Sequence, residues 1–136
     1  MKDNSNINSQ CKLTSMAIND ALELISGKWT PVVLMALLVR DVLCFTDLKN
    51  ELEGISSKVL SATLKRLEQQ CILKRSDVGS QTGKIEYRLT DYGKSLEPLL
   101  EQLSITGIKH RYIMTGRNIT DLTATEVEFF GIKKKL

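Results

Sequence analysis

Between Leu60 and Leu89 the apolar residues change their spacing from the period of a helix to that of a strand, and few small folds accommodate this switch over so short a stretch. Leu60, Leu64, Leu67 and Cys71 recur at i, i+4, i+7 and i+11, which is one face of a helix opening at Ser56 or Ser57 and running to about Gln70. Residues 84–89 then alternate strictly, the pattern of a half-buried strand, with 72–78 as a weaker strand and 79–83 as a flexible hairpin tip between them.

Upstream, Ile18, Ala21, Leu22 and Ile25 predict a helix over 16–25, stopped at Gly27. A second helix is expected to begin at Thr30-Pro31, with threonine as cap and proline at the first helical position, where no N–H is needed. The run over 32–39 is apolar all round, so this helix should lie at the centre of the domain. Phe45, Leu48 and Leu52 predict a short third helix, with Thr46 as its cap and Gly54 as its breaker. After the hairpin, a long helix should start near Thr90, with Leu96, Leu99, Leu100 and Leu103 on one stripe and a kink at Pro98. The expected organisation is a disordered polar segment over 1–10, one domain over 11–116, and a C-terminal tail over 117–136. In that tail, Thr123 and Glu126 have the spacing of a capping box for a short helix.

The order helix, helix, short helix, helix, hairpin, long helix is an α+β, mainly α arrangement: a winged helix-turn-helix with a two-stranded wing. Charge is distributed accordingly. The net charge of +3 says little, but over 56–88 seven basic residues (Lys58, Lys65, Arg66, Lys74, Arg75, Lys84, Arg88) face three acidic ones. A helix entering the DNA major groove needs short or basic side chains outward. Opposite the leucine stripe lie Lys58, Ala62, Lys65 and Gln69, flanked by Ser61 and Arg66, and the free amides at the start of the helix can hold a phosphate. With Gln81 at the tip of a basic hairpin and Lys84 at its base, the pattern points to double-stranded DNA as partner.

Other classes are disfavoured. The longest apolar run is too short for a membrane span, and the polar N-terminus carries no secretory pattern, so a cytoplasmic protein is expected. Cys11, Cys44 and Cys71 are an odd number and too widely spaced for a disulfide framework or a zinc site. No phosphate-binding loop or nucleophile elbow occurs, and the single histidine, His110, sits between Lys109 and Arg111 as a surface residue would. No catalysis, cofactor or metal is expected. A winged-helix module that binds protein and not DNA is the alternative; the cations on the outer face of the fourth helix argue against it.

Three stretches resemble the HxlR-type regulators, a branch of the winged-helix proteins related to MarR: Leu24-Ile25-Ser26-Gly27-Lys28-Trp29; Gly54-Ile55-Ser56-Ser57-Lys58-Val59-Leu60 on to Leu67-Glu68; and Glu86-Tyr87-Arg88-Leu89-Thr90 through Gly93 and Lys94 to Pro98. The similarity covers about 11–108. The resemblance implies a homodimeric transcriptional regulator, its first and last helices packed across the two-fold axis and two recognition helices in successive major grooves. It places DNA contacts at Ser56, Ser57, Lys58, Ser61, Ala62 and Lys65, gives Lys28 a backbone phosphate, and makes Trp29 a core anchor. Cys11 matches an N-terminal cysteine that some members use to sense oxidants or electrophiles; Lys12 replaces the usual proline after it, and a nearby cation favours the thiolate. Redox sensing with an oxidant or small-molecule effector and a passive interface role both stay open for Cys11. Cys71 stands where the family usually has glycine and Cys44 where a basic residue is common; both are expected to be buried packing residues.

Overall fold

The leucines whose spacing predicts a helix over 56–70, Leu60, Leu64 and Leu67, are buried in the core of the unit that holds them. The computed structural model describes residues 4–77 and 83–116. Its elements are α1 (Asn4–Leu24), α2 (Thr30–Arg40), β1 (Val42–Cys44), α3 (Phe45–Glu51), α4 (Ser57–Gln69), β2 (Leu73–Asp77), β3 (Ile85–Leu89), α5 (Asp91–Lys94) and α6 (Glu97–Thr115). The chain divides after Thr90 into two compact units, Met1–Thr90 and Asp91–Leu136. The hairpin tip with Gln81, and the expected capping box and helix of the tail, lie outside the described residues.

In the first unit Val33, Leu34 and Leu37 of α2, Leu48 of α3, and Leu60, Leu64 and Leu67 of α4 are buried together with Leu43, Leu73, Tyr87 and Leu89 of the sheet. Aromatics are 5% of the chain, so branched aliphatic side chains fill this core. The sheet is antiparallel with order β1-β3-β2. Leu73 pairs with Leu89, Arg75 with Tyr87 and Asp77 with Ile85, while Leu43 of β1 pairs with Tyr87. Paired residues share a face, so Leu43, Leu73, Tyr87 and Leu89 all point inward. The wing thus has a third strand where two were expected. The winged helix-turn-helix fold stands.

Several local expectations change. Residues 4–10, expected to be disordered, form the first turns of α1. Of the stripe Ile18, Ala21, Leu22 and Ile25, only Ile25 is buried. Thr30 does not cap α2: it is the first helical residue and is buried, with Trp29 in the cap position making no side-chain cap. Cys44, not Thr46, caps α3, its Sγ accepting from the Asp47 amide at 3.4 Å. In the second unit the single long helix is two, α5 and α6. Pro98 sits in the first turn of α6, where its missing N–H costs nothing, and starts a helix instead of kinking one. Leu96 and Leu100 are buried there, whereas Leu103 is exposed.

Candidate nucleic-acid interface

The start of α4 explains its placement. Ser56 has extended backbone, and its Oγ accepts from the Val59 amide at 3.2 Å, satisfying one of the free donors of the first turn. With Leu60, Leu64 and Leu67 committed to the core, helical geometry turns Lys58, Ser61, Ala62, Lys65 and Gln69 outward, and all five are exposed. Lys58 and Lys65 form no ion pair or hydrogen bond with another described residue. Cations left free beside small side chains suit a groove lined by phosphates and base edges. Ser57 is also exposed, and its Oγ accepts from Lys49 Nζ of α3 at 2.8 Å. Lys49 therefore adds a charge at the first turn of α4. Sequence reading passed over it because α3 was read for its apolar side alone. Val59, 40% exposed beside Ala62, was missed too; a valine here can meet a thymine methyl.

Beside α4 the wing supplies further charge. A cleft of about 580 Å³ lies between the helix and the hairpin, lined by Ser61, Lys65, Glu68, Gln69, Arg75 and Tyr87. Burial pushes the Tyr87 phenol up from its ordinary range; Arg75 acts against that shift and Glu68 adds to it. On the opposite face of the sheet Lys74 lies across from Arg88, both exposed. Like charges directly opposite destabilise a ladder, so this pair adds positive potential at some cost to the strand. Lys84 is exposed at the foot of β3, but its charge falls on α3: the Asp47 carboxyl is held below its usual range first by a hydrogen bond from the Cys44 side chain, and further by the charges of Lys84 and Arg40.

Other residues expected in the interface also make contacts within the chain. Ser56 acts through its oxygen as the cap just described. Lys28 is exposed, with Nζ 5.0 Å from the centre of the Trp29 ring, a cation–π arrangement. Trp29 is half-buried and its ring lies beside Gly54, where φ is +90°, in the turn between α3 and α4. Arg66, read as an outward flank of α4, turns inward. Its Nη2 donates to the Ser26 carbonyl at 2.7 Å and to Thr30 Oγ1, and its Nη1 donates to Ser26 Oγ at 3.3 Å. Cys71, expected to be buried, is exposed, and Cys44 is half-buried at its cap. Cys11 is exposed on α1, in a shallow groove with Ile7, Gln10, Thr14 and Ser15. Among the described residues, no helix is long and apolar enough to cross a membrane.

Comparison with known proteins places this arrangement. Residues 24–115 match the model of the HxlR-like helix-turn-helix family, a span that takes in α2 to α6. The chain is 34% identical over 102 residues to the uncharacterized HTH-type transcriptional regulator YdzF of Bacillus subtilis, covering 75% of this chain and 94% of that one. Among solved structures it is similar to the HTH-type transcriptional regulator ytcD, with 33% identity, 68% of this chain and 94% of that chain covered, and a TM-score of 0.62. It is also similar to the redox regulator HypR in its reduced form, with 25% identity, 74% and 99% covered, and a TM-score of 0.68. The chain belongs to the HxlR-like helix-turn-helix family and is a transcriptional regulator of the winged helix-turn-helix type.

Proposed function

We propose that this regulator binds duplex DNA sequence-specifically as a homodimer, with α4 of each protomer in the major groove. The observation that carries the reading is the outer face of α4, where exposed Lys58 and Lys65 flank Ser61 and Ala62 on a helix whose opposite face is fully committed to the core. Two short side chains between two cations let the helix approach base edges closely while the lysines take phosphates. Two such helices related by a two-fold axis would read half-sites about one helical turn apart. The stripe Ile7, Ile18 and Leu22 along one face of α1 supports a dimer, because large apolar side chains left exposed on a helix face mark a place where something docks.

Cys11 lies on that stripe, one turn from Ile7 and two from Ile18. Its position, its exposure and the likeness to the redox regulator HypR together support a thiol whose oxidation alters DNA binding. Selection of bound duplexes from a random pool, run with reduced and with oxidised protein, tests both parts. A dyad-symmetric sequence should emerge from the reduced protein, and its enrichment should change on oxidation in the wild type but not in Cys11→Ser. Affinity should fall steeply with salt, and the double variant Lys58→Gln, Lys65→Gln should lose specific binding at moderate salt. Retention of binding by the double variant would show that α4 does not read the duplex through these lysines.

A further inference from the structure

Arg66 is a cation on the helix proposed to read DNA, yet its guanidinium is engaged within the chain, unlike the ammonium groups of Lys58 and Lys65. Three donor contacts run to the corner between α1 and α2: the Ser26 carbonyl, Ser26 Oγ and Thr30 Oγ1. Both N–H bonds of Nη2 and one of Nη1 are used, so three of the five guanidinium donors are spent within the chain. No carboxylate takes part. The acceptors are the Ser26 carbonyl and hydroxyl, just beyond the end of α1, and the Thr30 hydroxyl in the first turn of α2. Thr30 is 1% exposed whereas Ser26 is exposed, so the guanidinium spans from the surface of the corner to a buried hydroxyl. Gly27, with φ of +97°, makes the turn at this corner in a backbone conformation that favours glycine, beside Thr30 Oγ1 and Arg66 Nη2.

We infer that Arg66 is a positioning residue: it fixes the setting of α4 in the groove by tying the flank of the helix to the α1–α2 corner, and it is not one of the DNA's own cationic contacts. This rests on the DNA-binding reading above. The chemistry separates the two roles, because a phosphate contact needs a charge within reach, which lysine also supplies, whereas this clamp uses two separate nitrogens, Nη1 and Nη2, which a single ammonium cannot replace.

The test measures binding of the selected duplex by fluorescence anisotropy over a series of salt concentrations, for wild type, Arg66→Lys, Arg66→Gln, Thr30→Val and the comparator Lys65→Gln, with the folded fraction of each fixed by its unfolding curve. Arg66→Lys and Arg66→Gln should each lose about tenfold in affinity per folded molecule, the scale of one misaligned base contact. Their slopes of log K against log salt should equal that of the wild type, whereas Lys65→Gln should flatten the slope by about one counterion. Thr30→Val should weaken binding in the wild type and add nothing in the Arg66→Lys background, since both remove the same clamp. Should Arg66→Gln not fold, Arg66→Lys with Thr30→Val carries the same comparison. A slope that flattens on loss of Arg66, wild-type affinity in Arg66→Lys, or unchanged affinity per folded molecule in every Arg66 variant would each overturn the inference while leaving the DNA reading intact. A wild-type protein that selects no duplex would end the DNA reading and this inference with it.

Discussion

Helices α4 and α1 both read as amphipathic in the sequence, and the structure treats them in opposite ways. On α4 the inward residues Leu60, Leu64 and Leu67 are 0%, 1% and 0% exposed, so the apolar face is finished within one chain and a cationic face is left open. On α1, Ile7, Leu13, Met16, Ile18 and Leu22 remain between 48% and 67% exposed. One helix leaves charge unanswered and the other leaves hydrocarbon unanswered. The difference bears on what a single protomer can reveal. A nucleic-acid face is complete before its ligand arrives, because solvated cations cost little, whereas an association face shows itself by apolar surface that water would otherwise have to cover.

The strongest way to break this contrast is to attack the finished face. Leu64→Ala removes a fully buried side chain from the centre of the first unit and should destabilise the protein by about 2–5 kcal/mol, measured by urea unfolding with unchanged slope. A loss under about 1 kcal/mol would mean that α4 is not anchored through its leucines. The unfinished face should behave differently. Ile18→Glu replaces a side chain already 55% exposed in the protomer, so it should leave the unfolding of an isolated protomer nearly unchanged while weakening self-association. In a two-fold interface the substitution acts twice; each lost aliphatic burial is worth about 1.5–3 kcal/mol, so the dissociation constant should rise about a hundredfold or more, as read by sedimentation equilibrium. Unchanged association would show that α1 is exposed for some other reason.

The contrast also explains what the sequence disclosed. For α4, cap, period and charge all agree: Ser56 caps, the leucines keep their spacing, and Lys58 and Lys65 stand opposite them. Where such agreement was lacking the reading failed. The three residues Val42–Cys44 of β1 are too few to show alternation, and the last of them doubles as the cap of α3. The start of α1 was missed because residues 4–10 are polar apart from Ile7, so no buried stripe marked the first turns. Thr30-Pro31 has the composition of a helix start, and the start is there, but the hydroxyl was claimed by a partner 36 residues away. The same long-range contact hid the role of Arg66, since a basic residue on a helix flank has no local mark that distinguishes a clamp from a free cation. The proline at 98 is compatible with a helix interior kink or a helix start, and only the break at 95–96 decides between them.

The smallest effect tests how α4 ends. The amide of Cys71 donates to the Glu68 carbonyl at 3.0 Å and that of Ile72 to the Leu67 carbonyl at 3.0 Å, the paired bonds of a Schellman motif. Leu67 and Ile72, which flank the motif, are both fully buried, so the turn is held in place by the core. The residue between them must adopt a left-handed backbone, and Cys71 does so with φ of +60°. For any residue with a Cβ this conformation costs about 1–2 kcal/mol, which glycine avoids at the expense of a more flexible unfolded chain. Cys71→Gly should therefore raise stability by about 0.5–1 kcal/mol, and Cys71→Val, branched at Cβ, should lower it. Neither should alter the contacts of Lys58 or Lys65, so affinity for duplex should hold while the unfolding midpoint moves. Should Cys71→Gly lower the midpoint instead, the exposed thiol must hold the turn by an interaction that outweighs the backbone strain, and α4 would be fastened at its end by its side chain and not by the buried pair on either side.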